Sequence, residues 1–522
     1  MERRIAIIGA GMNGLITCKY LLEKGFHPIV LEADSSIGGL WKHTLESTKL
    51  QNNRQSFCFS DFPWPSYVQE MNPGHTQVLE YFELYAQHFG IMPYIRFNTK
   101  VISLAYIGES DLEIESGEKW GGTGKPFGSK GKWHIEAQDT KKCSIEVLEV
   151  EFVVICIGRF SGLANIPDFP AGQGPEVFSG QVMHSMDYSA LDNSAATKLI
   201  KGKRVTVIGS LKSAMDIAAE CAEANGIDNP CTMIQRNPHW GLMSEKIWGV
   251  NLGYFCTNRF SELLVHKPGE PFLLSCVSTL LSPLRWATSK FVESYLKWKL
   301  PLKKYNMIPD HSFHQHASSC TLVILPKNFY DKVEEGSIVL KRSKNIRFCQ
   351  EGLVVEGEAE PLKTDLVIFA TGYKGDQKLK TIFKSPTCQN LIVASPTSTV
   401  PLYRGIIHPR IPQAAIVGFC SSLSNIYTSE VTCQWLAHFL DGNIQLPDIK
   451  DMEREVAMWK EYMKQYAGSY HRRSCIGAVH VWYNDQLCKD MGCSHKRKKG
   501  FFKEWFEPYG PRDYARLASP SK

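Results

Sequence analysis

Two stretches of the chain repeat one pattern of apolar and polar positions. "RRIAIIGAGMNGLITCKYLLEKGFHPIVLEAD" opens on an unbroken apolar run and passes a glycine turn. It continues with Leu15, Cys18, Leu21 and Leu22 at helical spacing and closes, after Gly25, on a second apolar run. "KRVTVIGSLKSAMDIAAECAEANGIDNPCTMIQR" does the same, its helical part ending at Gly226. A short unbroken run followed by a 3.6-residue period predicts strand, turn, amphipathic helix and strand, so each stretch reads as a βαβ unit. Two further runs, "VVICIGRFSG" and "LVIFATGY", read as buried strands that end in glycine-containing turns. Such turns suit points where the chain passes between two domains close to a ligand.

The glycines of the first unit have separate tasks. Gly9 allows the tight turn, Gly11 lets backbone approach a pyrophosphate, Gly14 lets the helix pack close to the strand, and the helix N-terminus offers amides to phosphate. Glu32 ends the second strand, placed to accept from both hydroxyls of an unphosphorylated ribose. This unit is expected to take FAD. In the second unit the corresponding strand ends in Arg236, which can hold a 2′-phosphate by paired hydrogen bonds where an acid would repel it, so NADPH is expected there. Its loop, "VIGSLKSAMD", keeps only Gly209. Ser210 and Ser213 can contact phosphate, and Ala214 adds one methyl at the helix–strand contact. Leu211 either points away or pushes the nucleotide outward, with Lys212 able to offset a lost contact by its charge.

Composition narrows the class. At 522 residues the chain exceeds one ordinary core, and two or three domains are expected. An apolar fraction of 43% with 21% charged residues is that of a globular protein. The net charge of +6 is modest, and the only basic cluster, "HKRKKG" at 495–500, reads as a solvated tail, so no nucleic-acid footprint is present. Sixteen scattered cysteines without ligand spacing read as reduced, buried thiols. "FLLSCVSTLLSPLRWA" (272–287) is too short for a bilayer span and is broken by Pro283 and Arg285, which predicts a buried or surface-associated helix pair. The first strand at Ile5 leaves no room for a leader, so a cytoplasmic location is expected. His311, His314 and His316 lack a completing cysteine or acid, and they are expected at the surface with no metal.

Four further motifs carry a resemblance: "EADSSIGGLW" (32–41), "FSDFPWP" (59–65), "FSGQVMHSMDY" (178–188) and "DLVIFATGY" (365–373). With the two loops, they make the chain resemble the flavin-containing monooxygenases to about residue 440. "WGLMSEKIWG", "HKPGEPF", "ESYLKWKLPLKKY" and "PLYRGIIHP" are most similar to the plant branch, and within it to the group that N-hydroxylates pipecolic acid in systemic immunity. The resemblance adds Gly38, Gly39, Leu40 and Trp41 beside the FAD ribose, and Thr371 and Gly372 in the late turn, to the cofactor-binding set. It implies that Gln51, with Asn52 as alternate, stands where animal members carry an active-site asparagine. His184 and Tyr188 read as scaffold.

The implied activity is insertion of one oxygen atom from O2 into a soft nucleophile through a C4a-hydroperoxyflavin, with an amine or amino acid such as pipecolic acid as substrate. S-oxygenation of a thioether, a non-catalytic flavoprotein and an H2O2-producing oxidase stay open. The fold class implied is α/β, with two Rossmann-like dinucleotide-binding domains, the second inserted in the first, and a C-terminal helical extension. The expected boundaries are 1–195 and 330–445 for the FAD domain, 196–329 for the NADPH domain and 446–522 for the extension. The extension is expected to cap the FAD domain or the substrate opening. Peripheral membrane contact by its basic, aromatic end is the second reading.

Overall fold

The computed structural model describes residues 3–393, 399–423, 425–470, 474–515 and 517. Its two large sheets draw on ten strands: β1 (Ile5–Ile8), β2 (Ile29–Leu31), β3 (Ile95–Arg96), β4 (Phe152–Ile155), β5 (Gln181–His184), β6 (Val205–Ile208), β7 (Cys231–Gln235), β8 (Ile338–Arg342), β9 (Leu366–Phe369) and β10 (Ala414–Ile416). The first sheet has the order β10-β4-β1-β2-β3 and the second β8-β7-β6-β9-β5, and every pairing in both is parallel. Parallel sheets are covered on both faces, and β1, β4, β6 and β9 are accordingly buried at all four positions. Each βαβ unit forms as predicted. Helix α1 (Met12–Glu23) follows β1, with Gly25 just beyond it at φ +77°, and α2 (Lys212–Asn225) follows β6 and stops at Gly226, φ +59°.

The second domain is wider than the 196–329 segment. β9, the "LVIF" strand, lies between β6 and β5 in the second sheet, and β8 and β5 also fall outside that segment. The chain returns to the first domain only after the Tyr373 turn, where Leu379, Ile382 and Phe383 pack in one core with Ala6 and Ile8. The boundary is set by which sheet edge a strand finds, and a fully apolar strand carries no local mark of its sheet.

The 272–287 stretch falls in two consecutive helices, α3 (Phe272–Leu280) and α4 (Ser282–Lys299). After them, α5 (Asn425–Leu440) packs on α1, and the extension adds α6 (Ile449–Ala467), α7 (His480–Asp490) and α8 (Phe501–Phe506). The extension pairs with residues of the chain's two large domains. Arg404 binds Asp490 and Glu455 on one side, and Arg259 binds Asp485 and Glu504 on the other, while Val481 and Trp482 donate their amides to Glu262. Cys320 and Cys475 are joined by a disulfide that ties the extension to the second domain, which corrects the expectation of reduced thiols for this pair. Their separation of 155 residues hides the pairing from any local reading.

The "FSDFPWP" motif is tethered by Glu430 of α5, fully buried, which accepts from the Ser60 amide at 2.8 Å and hydroxyl at 3.2 Å. Burial pushes this carboxyl up from 4.5 to about 8, with Asp61 adding to the effect and Lys19 opposing it. The folded protein therefore holds a proton that the unfolded chain releases. Its contribution to stability is complete below pH 4.5 and is lost as pH rises through 8. Unfolding free energies from denaturant titrations between about pH 6 and about pH 8 are expected to fall for the native chain by up to about 1.4 kcal/mol per pH unit, and to fall less for Glu430→Gln.

Candidate active site

The C-terminal ends of both parallel sheets face one cavity of about 2280 Å³, at least twice the roughly 300–1,000 Å³ of an ordinary ligand pocket. Every residue predicted for the site except Gly14 lines it: Gly9, Gly11, Glu32, Gly38, Gly39, Leu40, Trp41, Gln51 and Asn52 from the first domain, and Gly209, Ser210, Lys212, Ser213, Arg236, Thr371 and Gly372 around the second. Gly14 lies beneath the loop, where its role is packing.

The first loop is built without room for side chains. Gly9 has φ +101°, and a Cβ there would lie 2.8 Å from the Cys156 carbonyl oxygen. A Cβ on Gly14 would lie 1.9 Å from the Gly9 oxygen, so α1 is docked backbone against backbone. Gly11 caps α1 in an extended conformation and sits against Gly39, whose own Cβ would come within 3.0 Å of the Gly11 Cα. The glycine pair after Glu32 thus closes on the loop. Glu32 is 7% exposed and accepts from the amides of Ala10 at 2.5 Å and Asp34 at 2.9 Å. A carboxylate offers about four acceptor positions, so roughly two stay open toward the cavity.

The second loop differs in a way that explains its sequence. Leu211 caps α2 with φ −109° and ψ −168°, the same extended form as Gly11, so the backbone there needs no glycine. Its half-buried side chain packs against the core of the second domain and also borders the cavity. Lys212 does not supply a free compensating charge, which corrects that expectation: its Nζ pairs with Asp216 Oδ1 at 2.6 Å. Burial raises the Asp216 pKa, opposed by Lys212. Phosphate binding at this loop is left to the α2 amides and the two serines, with no acid in the first helical turn to oppose it.

Arg236 follows β7, is exposed at the cavity wall, and makes no hydrogen bond or ion pair among the described residues. A second cation stands on the neighbouring strand end: Lys344, two residues after Arg342, which is paired with Gln235 in the β7–β8 register. Sequence reasoning missed it because only the register places it beside Arg236.

At the seam between the domains, Gln51 accepts from the Ile324 amide at 3.2 Å, and Asn52 donates to the Leu423 carbonyl at 2.8 Å. The Gln51 NH2 and the Asn52 oxygen keep capacity for a ligand. Asn53 is occupied by Glu245. The late turn is fixed by Asn165, whose amides donate to the Thr371 and Gly372 carbonyls. His184 and Tyr188 stay outside the cavity lining: His184 Nδ1 accepts from the Met186 amide, and the hydroxyl of the buried Tyr188 donates to half-buried Glu220.

The histidine cluster is not at the surface. His316 is fully buried, and His314 is pushed down to about 4 by burial, its ring against Tyr466. The third ring beside His311 and His316 is His239 from the cavity wall, and the ligand-capable nitrogens of these three lie within 4.8 Å of one another. His311 Nε2 and His316 Nδ1 are 3.1 Å apart. Three imidazoles at this spacing could hold a metal ion, an arrangement the sequence cluster does not contain without His239.

Two loops of this construction on one cavity are the frame of a two-dinucleotide enzyme, and the family described as flavin-binding monooxygenase-like matches residues 2–504. The chain belongs to that family. It is similar to "Probable flavin-containing monooxygenase 1" of Arabidopsis thaliana, 40% identical over 523 residues, covering 99% of this chain and 97% of the relative. Among solved structures it resembles the S-allyl-L-cysteine S-oxygenase from Allium sativum, with a TM-score of 0.59 at 19% identity, covering 94% of this chain and 89% of that one. It also resembles an oxidised steroid monooxygenase bound to NADP, with a TM-score of 0.63 at 16% identity, covering 93% and 97%. As a flavin-binding monooxygenase, the chain needs one site that admits a flavin dinucleotide. The glycine cradle and the half-used Glu32 carboxylate fit that group. Among the described residues no helix is long and apolar enough to cross a membrane.

Proposed function

We propose that the protein uses NADPH and O2 to place one oxygen atom on an amine nitrogen, with pipecolic acid or a related cyclic amino acid as substrate. In balance, the amine, O2, NADPH and a proton give the N-hydroxylated product, water and NADP⁺. The observation that carries the reading is that both dinucleotide loops open on one cavity with Gln51 and Asn52 at the seam between them. The substrate class rests on the resemblance of the plant-type motifs.

When bound, FAD supplies hydride acceptance and O2 activation. The chain's own residues do the holding. Gly9, Gly11 and the α1 amides would take the FAD pyrophosphate, and Glu32 the ribose hydroxyls. Arg236 and Lys344 would take the 2′-phosphate of NADPH, with the α2 amides on its pyrophosphate. Gln51 would donate from its free NH2 and Asn52 would accept at its free oxygen, so the pair could orient the nicotinamide amide. Segment 508–511 closes one side of the cavity and limits water entry.

Product analysis with NADPH, O2 and pipecolate is expected to show one added oxygen on nitrogen. Conversion of a thioether and not of pipecolate would replace the amine reading with S-oxygenation. Rapid O2 consumption unaffected by either compound would indicate an H2O2-producing oxidase.

A further inference from the structure

The apolar surface of the protein is concentrated in one region. Among the described residues, 15 of the 27 exposed large apolar side chains fall in 243–298 and 501–506. Helix α3 carries them on the outside: Phe272, Leu273 and Leu280 are 81%, 78% and 79% exposed, and Ser278 is its one buried residue. This reverses the usual pattern of a surface helix, whose apolar stripe faces inward.

The region is continuous. Trp248 stacks on Trp298 at 4.9 Å and meets Phe291 at 6.4 Å, and Phe291 meets Phe255 at 5.7 Å. Past the short helix Arg259–Leu263, which packs on α3, Phe260 meets Phe506 of α8 at 5.2 Å. The ring group of α4 and that of α8 are linked through the helices Gly253–Cys256 and Arg259–Leu263, which are in contact. Three exposed tryptophans, Trp248, Trp286 and Trp298, give the face the amphipathic rings favoured at a membrane–water boundary.

Charge identifies the occupant. Residues 272–304 hold six basic side chains and one acid, Glu293, which is buried and paired with Lys290. Residues 494–507 hold five basic side chains and two acids, of which Glu504 is buried on Arg259. The two stretches together carry a formal +8, more than the +6 of the entire chain. A second copy docked by the same face would bring these like charges together. An anionic lipid surface would neutralise them while taking up the apolar side chains.

We propose that α3, α4 and α8 form a seat by which the protein binds an anionic membrane surface without crossing it. The seat adjoins the active site, because Tyr254 and the 508–511 segment that follows α8 also line the cavity. The proposal stands apart from the choice of substrate.

Flotation of the full-length flavoprotein with phosphatidylserine–phosphatidylcholine vesicles tests it. Binding is expected, weakened by added salt and weaker on phosphatidylcholine alone. Leu273→Glu with Leu280→Glu, and separately Phe501→Ser with Phe502→Ser, are expected to lower it at least about tenfold. All four side chains are solvent-exposed, so flavin content and NADPH oxidation in vesicle-free solution are expected to stay unchanged. Failure of the native protein to float, or equal flotation of the variants, overturns the proposal. So does a native dimer in vesicle-free solution that the same variants split into monomers, which would assign the face to a second copy.

Discussion

Gly14→Val is expected to abolish flavin binding. The Cβ it adds would stand 1.9 Å from the Gly9 carbonyl oxygen, a backbone atom in a loop that already has Gly9 at φ +101° against Cys156. Neither partner is a flexible side chain, so α1 must move away from β1 and its N-terminus leaves the pyrophosphate position. The variant is expected to purify colourless, with the absorbance of bound flavin reduced more than about tenfold. Gly25→Ala is the control. Gly25 also has positive φ, yet nothing lies within 4 Å of its added Cβ, so the change is expected to cost about 1 kcal/mol of stability and keep the flavin. A yellow Gly14→Val protein would show that the close helix–strand contact does not govern the site.

Replacing Arg236 and Lys344 together by alanine is expected to erase the preference for NADPH over NADH. Both stand at adjacent strand ends on the cavity wall, and Arg236 has no protein partner among the described residues to share its charge with. Charged hydrogen bonds of this kind are worth about 1.5–3 kcal/mol each, so each single change is expected to cost about tenfold to a hundredfold in kcat/KM for NADPH while leaving NADH unaffected. An equal loss with both nucleotides would mean that the two residues act on the fold and not on the 2′-phosphate.

The parts of this protein that are legible in its sequence are those set by neighbours along the chain. The strands β1 and β6, the helices behind them and their glycine stops follow from apolar period and turn chemistry within about thirty residues. The site residues gathered by those loops come to one cavity for the same reason. What could not be read depends on long-range pairing. The β9 strand is apolar on both faces, and only its hydrogen bonds to β6 and β5 assign it to the second sheet. The Lys212–Asp216 pair is the exception, a contact one helical turn apart that the i,i+4 spacing already offered. Lys344 joins Arg236 through strand register, His239 joins His316 from a separate segment of the same domain, and Cys320 finds Cys475 across 155 residues. Leu211 is the instructive intermediate case. Its sequence position suggests a blocked loop, but its extended torsions show that the backbone there needs no glycine, while its half-buried side chain still borders the cavity.

The account rests on the second loop being a working nucleotide site opposite the flavin. Anaerobic mixing of the flavoprotein with NADPH, and separately with NADH, while following loss of the oxidised flavin colour, tests this most directly. Rapid bleaching by NADPH and much slower bleaching by NADH is the expected result. A flavin that neither nucleotide bleaches would contradict the account, because the cavity would then hold one functional dinucleotide site and not two.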